Sequence, residues 1–391
     1  MVPKGWQKSQ ISDICKLQNG NSFKPHQWDT KGLPIIRIQN LNGSDNFNYY
    51  SGEVNDKWLV ETGQLLFSWA GTKGVSFGPF IWKKERGVLN QHIYKVFAHE
   101  NVSYDWLYEA LKWVTHKIEA QAHGFKSTLV HVKKQDIDNQ PILVPHFSEQ
   151  QKIAQVLSTW DNAISTTEKL IANSKQQKKA LMQQLLTGKR RLVNPETGKA
   201  FGGEWEDLKL NQIANITMGS SPRSESYNEN GIGLPLLQGN ADIKARKSAP
   251  RIHTSQITKE CSVNDILLSV RAPVGSVAKS LHKACIGRGI ASIKANKNTD
   301  QEFLYQWLLS FEPKWEGLSQ GSTFEAVNNN DIRTLHLSVP NFLEQQKIAS
   351  VLTSADKEIE LLEAKLAHFK QEKKALMQQL LTGKRRVKIA A

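Results

Sequence analysis

The 391-residue sequence has few cysteines and no long apolar run. Cys15, Cys261 and Cys285 are far apart and match no zinc-binding spacing, so we expect free thiols in a reduced compartment. No stretch approaches the roughly 20 apolar residues that cross a bilayer. The first residues, MVPKGWQKSQ, lack the apolar core of a secretion signal. These absences predict a cytoplasmic protein that has no contact with a membrane.

The motifs of common catalytic sites are also missing. Thr187-Gly188-Lys189 lacks the preceding glycine and the following serine or threonine of a phosphate-binding loop. There is no glycine-rich dinucleotide turn, no metal-ligand pair at helical spacing and no nucleophile elbow. An Asn/Asp-Pro-Pro-Tyr/Phe string, expected of an adenine methyltransferase, is absent as well. We therefore expect a non-catalytic chain that binds no metal and no cofactor.

The sequence does contain a long internal duplication. Residues 175–191 read KQQKKALMQQLLTGKRR and residues 370–386 read KQEKKALMQQLLTGKRR, so the two strings differ at one position. The match continues upstream at the same offset of 195, where residues 144–154 correspond to residues 339–349. A repeat this long determines the architecture. The chain therefore consists of two related halves, each of which ends in the same segment.

Both copied segments have the seven-residue apolar repeat of a coiled coil. The seam residues of the first copy are Ile153, Leu157, Trp160, Ile164, Thr167, Ile171, Leu181 and Leu185. Those of the second copy are Ile348, Leu352, Ala355, Ile359, Leu362, Leu366, Phe369, Leu376 and Leu380. Lys178 and Lys373 interrupt the seam. Each helix should span about 40 residues, roughly 60 Å. Either orientation of the pair is possible, and we favour the antiparallel one because it gives a pseudo-two-fold axis.

The segments before the helices are related more loosely and predict two α+β domains. They mix short apolar strands with turn residues and a helix near Tyr104–Gln121. The predicted division is residues 1–143 and 196–338 for the domains, and 144–195 and 339–391 for the helices with their linker and tail. The predicted fold is thus two globular domains and an antiparallel helix pair in an internal repeat.

The positive charge is concentrated in the copied helix ends. The net charge is +14, and the two strings hold twelve of the 51 Lys and Arg but one of the 37 Asp and Glu. Cations complement the negative end of a helix, and they also suit phosphates or an acidic partner surface. The candidate partner-binding residues are Lys175, Lys178, Lys189, Arg190, Lys370, Lys373, Lys384 and Arg385.

The diverged domains supply the side chains that would read DNA. Bidentate Arg, Asn and Gln contacts specify bases, whereas contacts to phosphate set the register. The candidate DNA-binding residues are Arg37, Lys73, Asn90, Gln91 and Lys126 in the first domain, and Arg223, Arg271, Arg288 and Asn329 in the second. Gln238 and Asn240 belong to the wider set. Because the domains differ while the helices match, we expect two different surfaces on one scaffold.

The whole chain resembles the specificity subunits of type I restriction–modification systems. The resemblance depends on the blocks Glu149-Gln150-Gln151-Lys152-Ile153-Ala154 and Glu344-Gln345-Gln346-Lys347-Ile348-Ala349, each followed by a helix that ends in Leu-Leu-Thr-Gly-Lys-Arg-Arg. Asn90-Gln91-His92-Ile93 and Ile286-Gly287-Arg288-Gly289 are similar to motifs of the target-recognition domains of this family.

The resemblance implies two target-recognition domains that read the halves of an asymmetric bipartite site in double-stranded DNA. It also implies two adenine methyltransferase subunits docked on the helices, with restriction and translocase subunits joining them. S-adenosylmethionine would bind the methyltransferase. Removing one heptad from each helix should then change the spacer between half-sites. The alternative is a DNA-binding or scaffolding coiled-coil protein that acts without methyltransferase partners, and an enzyme is the third reading.

Overall fold

The computed structural model describes residues 2–121, 129–318 and 326–389. The chain divides into two compact units. Unit 1 contains residues 1–168 and 365–391, and unit 2 contains residues 169–364. The two long helices, Phe147–Leu185 and Phe342–Leu381, each contribute to both units. None of the helices in the described ranges is long and apolar enough to span a membrane.

Unit 1 combines short strands with one amphipathic helix. Its strands are β1 Gln7–Gln10, β2 Cys15–Asn19, β3 Leu33–Ile36, β4 Tyr49–Tyr50, β5 Leu59–Val60, β6 Leu65–Ser68, β7 Ala70–Thr72, β8 Gly78–Ile81, β9 Gly87–Leu89, β10 Ile93–Ala98, β11 Leu129–His131 and β12 Pro141–Val144. Its helices are α1 Ile11–Ile14, α2 Ile38–Leu41, α3 Tyr104–Gln121, α4 Lys134–Asp138 and the first part of α5 Phe147–Leu185. The expected helix Tyr104–Gln121 is confirmed.

Unit 2 repeats this order with different details. Its strands are β13 Glu206–Lys209, β14 Ala214–Met218, β15 Tyr227–Asn228, β16 Leu234–Leu237, β17 Ile243–Lys244, β18 Lys247–Ser248, β19 Ile252–Thr254, β20 Glu260–Cys261, β21 Ile266–Ser269, β22 Val277–Lys279, β23 Ala284–Ile286, β24 Ile290–Ala295 and β25 His336–Val339. Its helices are α6 Leu210–Ile213, α7 Gln301–Leu318, α8 Asn329–Arg333 and the first part of α9 Phe342–Leu381.

The sheets of the two units have corresponding topologies. The order β2-β10-β6-β8 in unit 1 corresponds to β14-β24-β21-β22 in unit 2. A second sheet in each unit contains a parallel pairing at the corresponding position, β3 with β9 and β16 with β23. The strand that opens each domain pairs with the strand before the long helix, β1 with β12 and β13 with β25. These pairings join the start and the end of each domain beside its helix.

Each unit buries apolar residues from both long helices in its main core. In unit 1, Ile153 and Leu157 of α5 lie in one core with Met377 and Leu380 of α9. In unit 2, Leu185 of α5 lies in one core with Ile348 and Leu352 of α9. Burial of such side chains contributes about 1.5–3 kcal/mol each. These apolar residues of the long helices are therefore fixed by the same cores that hold the sheets.

Candidate nucleic-acid interface and helix contacts

Three ion pairs join the long helices and their ends in unit 1. Glu149 binds Arg386 at 2.6 Å, Asp161 binds Lys373 at 2.6 Å and Glu168 binds Lys370 at 2.7 Å. The ring of Trp160 packs against that of Phe369 with centroids 5.7 Å apart. As the chain advances along α5, its partners move backward along α9. The helical segments in this unit are therefore antiparallel.

Unit 2 contains the corresponding three pairs. Arg191 binds Glu344 at 2.6 Å, Lys178 binds Asp356 at 2.5 Å and Lys175 binds Glu363 at 2.7 Å. Each pair is the copy of a unit 1 pair, with both residue numbers displaced by the repeat offset of 195 and the chain order exchanged. Acids from the start of one copy thus pair with bases from the end of the other copy, once in each unit.

In each unit, the ion pair at the start of the long helix contains a buried glutamate. The side chains of Glu149 and Glu344 are 1% and 0% exposed, respectively. Each accepts two hydrogen bonds from one guanidinium, Arg386 for Glu149 and Arg191 for Glu344. Trp6 Nε1 donates a further hydrogen bond of 2.9 Å to Glu149. Bidentate bonds between charged groups are stronger than neutral ones, so these pairs fasten the ends of the copied segments.

The glutamine that follows each buried glutamate connects the long helix to the 18-residue helix of the same unit. In unit 1, Gln150 Oε1 accepts from the Ser103 backbone N–H at 2.7 Å, and its Nε2 donates to the carbonyls of Asn101 and Pro145. In unit 2, Gln345 makes the same three contacts with Asp300, Asn298 and Pro340. Both side chains lie in buried residues. Each glutamine therefore fixes the start of a domain helix, α3 or α7, against the long helix.

A charged cluster in unit 1 contains one acid, Glu109, whose place in unit 2 is taken by the amide Gln306. Glu109 lies beside Lys112, Lys373 and Asp161. Burial raises the pKa of the Glu109 carboxyl, although both lysines oppose this shift. The pKa of Asp161 is lowered by Lys112 and Lys373 against the effect of burial. At the matching position of α7, the Gln306 amide donates to Asp356 at 2.8 Å.

The predicted partner-binding residues differ in their accessibility. Lys178 and Lys373 have side chains only 11% exposed and bind Asp356 and Asp161 inside the chain. Lys175 and Lys370 pair with Glu363 and Glu168 but remain more than half exposed. The cations beyond the helices are exposed, and these are Lys189, Arg190, Lys384 and Arg385. The structure thus places the predicted set in two groups, one within the helix contacts and one on the surface.

The structure brings three predicted DNA-binding residues of unit 1 together. Asn90 N–H donates to the Ile36 carbonyl at 3.0 Å, which places Asn90 and Gln91 beside Arg37. Asn90 Oδ1 accepts from the Gln91 backbone N–H at 2.9 Å. Lys73 lies apart, where its Nζ donates to the Glu119 carbonyl at 2.8 Å. Lys126 lies outside the described residues.

Three of the predicted residues of unit 2 lie on connected loops, and the fourth, Asn329, begins helix α8. Arg288 N–H donates to Ser221 Oγ at 3.2 Å, and Ser221 is two residues before Arg223. Arg271 pairs through its backbone with Ala326, in the segment that leads to Asn329. Val270 N–H donates to the Gly289 carbonyl at 3.0 Å and joins these two groups. All four predicted residues are exposed.

The sequence reasoning missed the contacts that hold the helices and domains together. It treated Lys178 and Lys373 as polar interruptions, and did not single out their partners Asp356 and Asp161. The Glu-Gln pair in each copied block was noted as a motif without a role. Its repetition next to an apolar seam was the available signal, because a paired buried carboxylate and amide require fixed partners.

These features define a class of protein. It is an internally duplicated α+β protein whose two scaffolds carry different loops with basic and amide side chains, as expected of a protein that reads nucleic acid. Among the described residues, no group of three or more His, Cys, Asp and Glu could hold a metal ion.

Comparison with known proteins gives the same class. The family model for the type I restriction modification DNA specificity domain matches residues 3–175 and 202–371. A Methanocaldococcus jannaschii protein described as the type I restriction enzyme MjaX specificity subunit is 32% identical to this chain. The alignment covers 99% of this chain and 95% of that protein. The EcoBI specificity subunit of Escherichia coli is 23% identical over 89% of this chain and 78% of its own.

Solved structures share the fold. A chain from a study of assembly and conformational transition of a type I R-M system aligns with a TM-score of 0.63 at 22% identity, covering 97% of this chain and 98% of its own. The S subunit of the type I restriction-modification system from M. genitalium gives a TM-score of 0.63 at 16% identity, covering 100% of this chain and 97% of its own.

The chain belongs to the type I restriction–modification DNA specificity family. It is the DNA-recognition subunit of such a system and not an enzyme, as the resemblance implied. The resemblance to this family and the α+β fold with an internal repeat are both confirmed.

Proposed function

We propose that residues 1–143 and 196–338 are two target-recognition domains, each of which reads one half of an asymmetric bipartite DNA site. The observation that carries this proposal is one strand scaffold bearing two different sets of polar side chains, half-buried in unit 1 and exposed in unit 2. Residues 144–195 and 339–391 would then form the spacer helices with their linker and tail. Contacts to bases come from the loops, and the helices provide a common frame.

Within each domain, the predicted residues have different roles. Contacts to DNA come from seven of them, which lie on the loops described above or at the start of α8: Arg37, Asn90, Gln91, Arg223, Arg271, Arg288 and Asn329. Lys73 is held against the end of α3 by its bond to Glu119, which suits a phosphate contact at fixed register more than base reading. Lys126 is proposed from the sequence as a further DNA contact.

The two copied helix ends are proposed as docking surfaces for two DNA adenine methyltransferase subunits. Near-identical strings suit two copies of one partner, and the exposed cations Lys189, Arg190, Lys384 and Arg385 suit an acidic partner surface. Lys175 and Lys370 lie further back in the two helices, with more than half of each side chain exposed. Restriction and translocase subunits would join this assembly in the cytoplasm.

The experiment for recognition is methylome mapping in cells that carry or lack the gene. We expect one asymmetric bipartite adenine-methylation motif to disappear on deletion and to return when the gene is restored. If no motif changes, the chain does not direct methylation, and a DNA-binding or scaffolding protein without methyltransferase partners becomes the better explanation.

The experiment for docking uses charge reversal at each helix end. Lys189→Glu with Arg190→Glu, or Lys384→Glu with Arg385→Glu, should reduce the copurified methyltransferase from two copies to one. The matched control is Lys169→Glu with Lys365→Glu, which reverses exposed charges elsewhere on the helices. Retention of two copies in the helix-end variants would place docking elsewhere.

A further inference from the structure

In each unit, a pair of parallel strands ends at the same edge and presents two loops. Strand β3 pairs with β9, with Ile36 opposite Leu89, and β16 pairs with β23, with Leu237 opposite Ile286. Backbone hydrogen bonds then fasten the loops, Asn90 N–H to the Ile36 carbonyl at 3.0 Å and Gly287 N–H to the Leu237 carbonyl at 2.8 Å. This shared register identifies corresponding positions in the two units.

The corresponding positions carry the same two side-chain types in opposite order. The residue directly after the first strand is Arg37 in unit 1 and Gln238 in unit 2. The residue two positions after the second strand is Gln91 in unit 1 and Arg288 in unit 2. Each edge therefore has one arginine and one glutamine. These are the side chains that make bidentate contacts with guanine and adenine, respectively.

An aromatic residue supports the first position in both units. The Arg37 guanidinium lies over the Trp28 ring, 5.1 Å from its centroid, and Gln238 Nε2 donates to Tyr227 Oη at 3.0 Å. Trp28 and Tyr227 each directly follow a short 3-10 turn, Pro25–Gln27 and Ser224–Ser226. A supported side chain loses less conformational freedom when it binds a ligand.

The backbone of the first position is also held in the same way. Arg37 N–H donates to Asn40 Oδ1 at 3.0 Å, and Gln238 N–H donates to Asp242 Oδ2 at 2.8 Å. Asn40 and Asp242 are each only 2% exposed. These buried acceptors hold the backbone of Arg37 and of Gln238, so the chain leaves the strand in the same way in both units.

Arg37 also has a donor that its surroundings do not satisfy. Its Nε is buried and has no hydrogen-bond partner among the described residues. A buried donor without an acceptor is destabilising. The hydrogen-bonding capacity of Arg37 is therefore not used up within the described residues, which distinguishes it from an arginine held in a structural ion pair.

We propose that Arg37 with Gln91, and Gln238 with Arg288, are the base-reading pairs of the two domains, with each arginine reading a guanine and each glutamine an adenine. This inference rests on the proposed function, since it assigns bases within the half-sites. The position after the first strand reads guanine in unit 1 and adenine in unit 2. Trp28 and Tyr227 are positioning residues, because they act through Arg37 and Gln238.

The first experiment removes one arginine at a time in the whole system. Arg37→Ala should relax one guanine in one half-site, and Arg288→Ala should relax one guanine in the other, with a loss of discrimination on the order of ten- to a hundredfold. Methylome mapping measures this loss at every position. The controls Arg86→Ala and Arg333→Ala remove the same charge from exposed arginines of units 1 and 2 and should leave the motif intact.

Two results would overturn this assignment. An even loss of methylation across all sites after Arg37→Ala or Arg288→Ala would indicate phosphate contacts. An unchanged motif would show that neither arginine reads a base. Yield and thermal stability of the purified complex, compared with those of the control variants, separate a folding defect from either result.

The second experiment exchanges the order within one unit. Arg37→Gln with Gln91→Arg should exchange the preferred guanine and adenine positions in one half-site, measured by selection of the purified complex from a randomised duplex pool. If the wild-type complex selects no motif, the proposed function fails. If it selects a motif that the exchanged variant leaves unchanged, the base assignment alone fails.

Discussion

The copied helices and the diverged domains differ in what each side chain must contact. In the helices, Lys373 needs Asp161 in unit 1 and its copy Lys178 needs Asp356 in unit 2, so one set of contacts is made twice. In the domains, Arg37 and Gln238 occupy corresponding positions, directly after β3 and β16, but have different side chains. A residue that binds within the chain must match its partner, whereas a loop residue that binds DNA must match only its base.

The two units also differ within the copied region, because a contact and its copy do not always have the same partners. Glu149 has both Arg386 and Trp6 as donors, whereas Glu344 has Arg191 as its side-chain partner. Gln150 and Gln345 make matching contacts, and Glu109 is replaced by Gln306. Each of these three comparisons gives a test in which one unit serves as the control for the other.

The largest effect should come from removing an arginine beside a buried glutamate. Arg191→Met leaves the Glu344 carboxylate, 0% exposed, without its partner, and such losses cost about 3–5 kcal/mol. Arg386→Met should cost less because Trp6 still donates to Glu149. Denaturant-induced unfolding measures both. Lys175→Met, in an exposed pair, should cost about 0–1 kcal/mol, and equal losses for the two arginines would contradict the comparison.

A smaller but still large effect should follow from removing a buried glutamine. Gln150→Leu and Gln345→Leu each leave one backbone N–H and two carbonyls without a partner, at about 1–3 kcal/mol for a buried group that finds no water. The exposed neighbours Gln151→Leu and Gln346→Leu are matched controls. Hydrogen exchange at Ser103 and Asp300 locates the effect, because their N–H groups bind these glutamines. Unchanged exchange at both residues would mean that the glutamines do not fix the domain helices.

The sequence was sufficient for the features that recur along the chain. The duplication, the apolar seam and helix α3 follow from spacing, whereas the path of the chain after strand β3 does not. Arg37 instead leads into the short helix α2, where Asn40 caps its N–H. The packing of Arg37 on Trp28 joins residues from separate segments, and no periodic pattern records such a contact.

The site residues were predictable as types but not as pairs. Gln91 and Arg288 were candidates because of their chemistry, yet their equivalence appears only when β9 and β23 are aligned by their parallel partners. Lys178 and Lys373 were assigned to partner binding from charge alone, whereas the structure pairs both within the chain. Charge composition identifies a cation but not the carboxylate that it meets, because that contact depends on the packing of distant segments.

The smallest predicted effect is a pH dependence that separates the two units. The raised pKa of Glu109 means that the folded chain holds this proton at a pH where the unfolded chain has released it. The resulting stability is present below the unfolded pKa, near 4.5, and is lost as the pH rises through the folded pKa. Glu109→Gln should therefore gain stability relative to the wild type as the pH rises.

Unit 2 provides the reciprocal variant for this test. Gln306→Glu would place a carboxyl beside Asp356, so it should lose stability relative to the wild type as the pH rises. Unfolding free energies of both variants and the wild type across pH 4–8 measure the two slopes. Opposite slopes would show that one acid, rather than the copied lysine–aspartate pair beside it, makes the two units respond differently to pH. Parallel slopes would assign the pH response to the contacts that the units share.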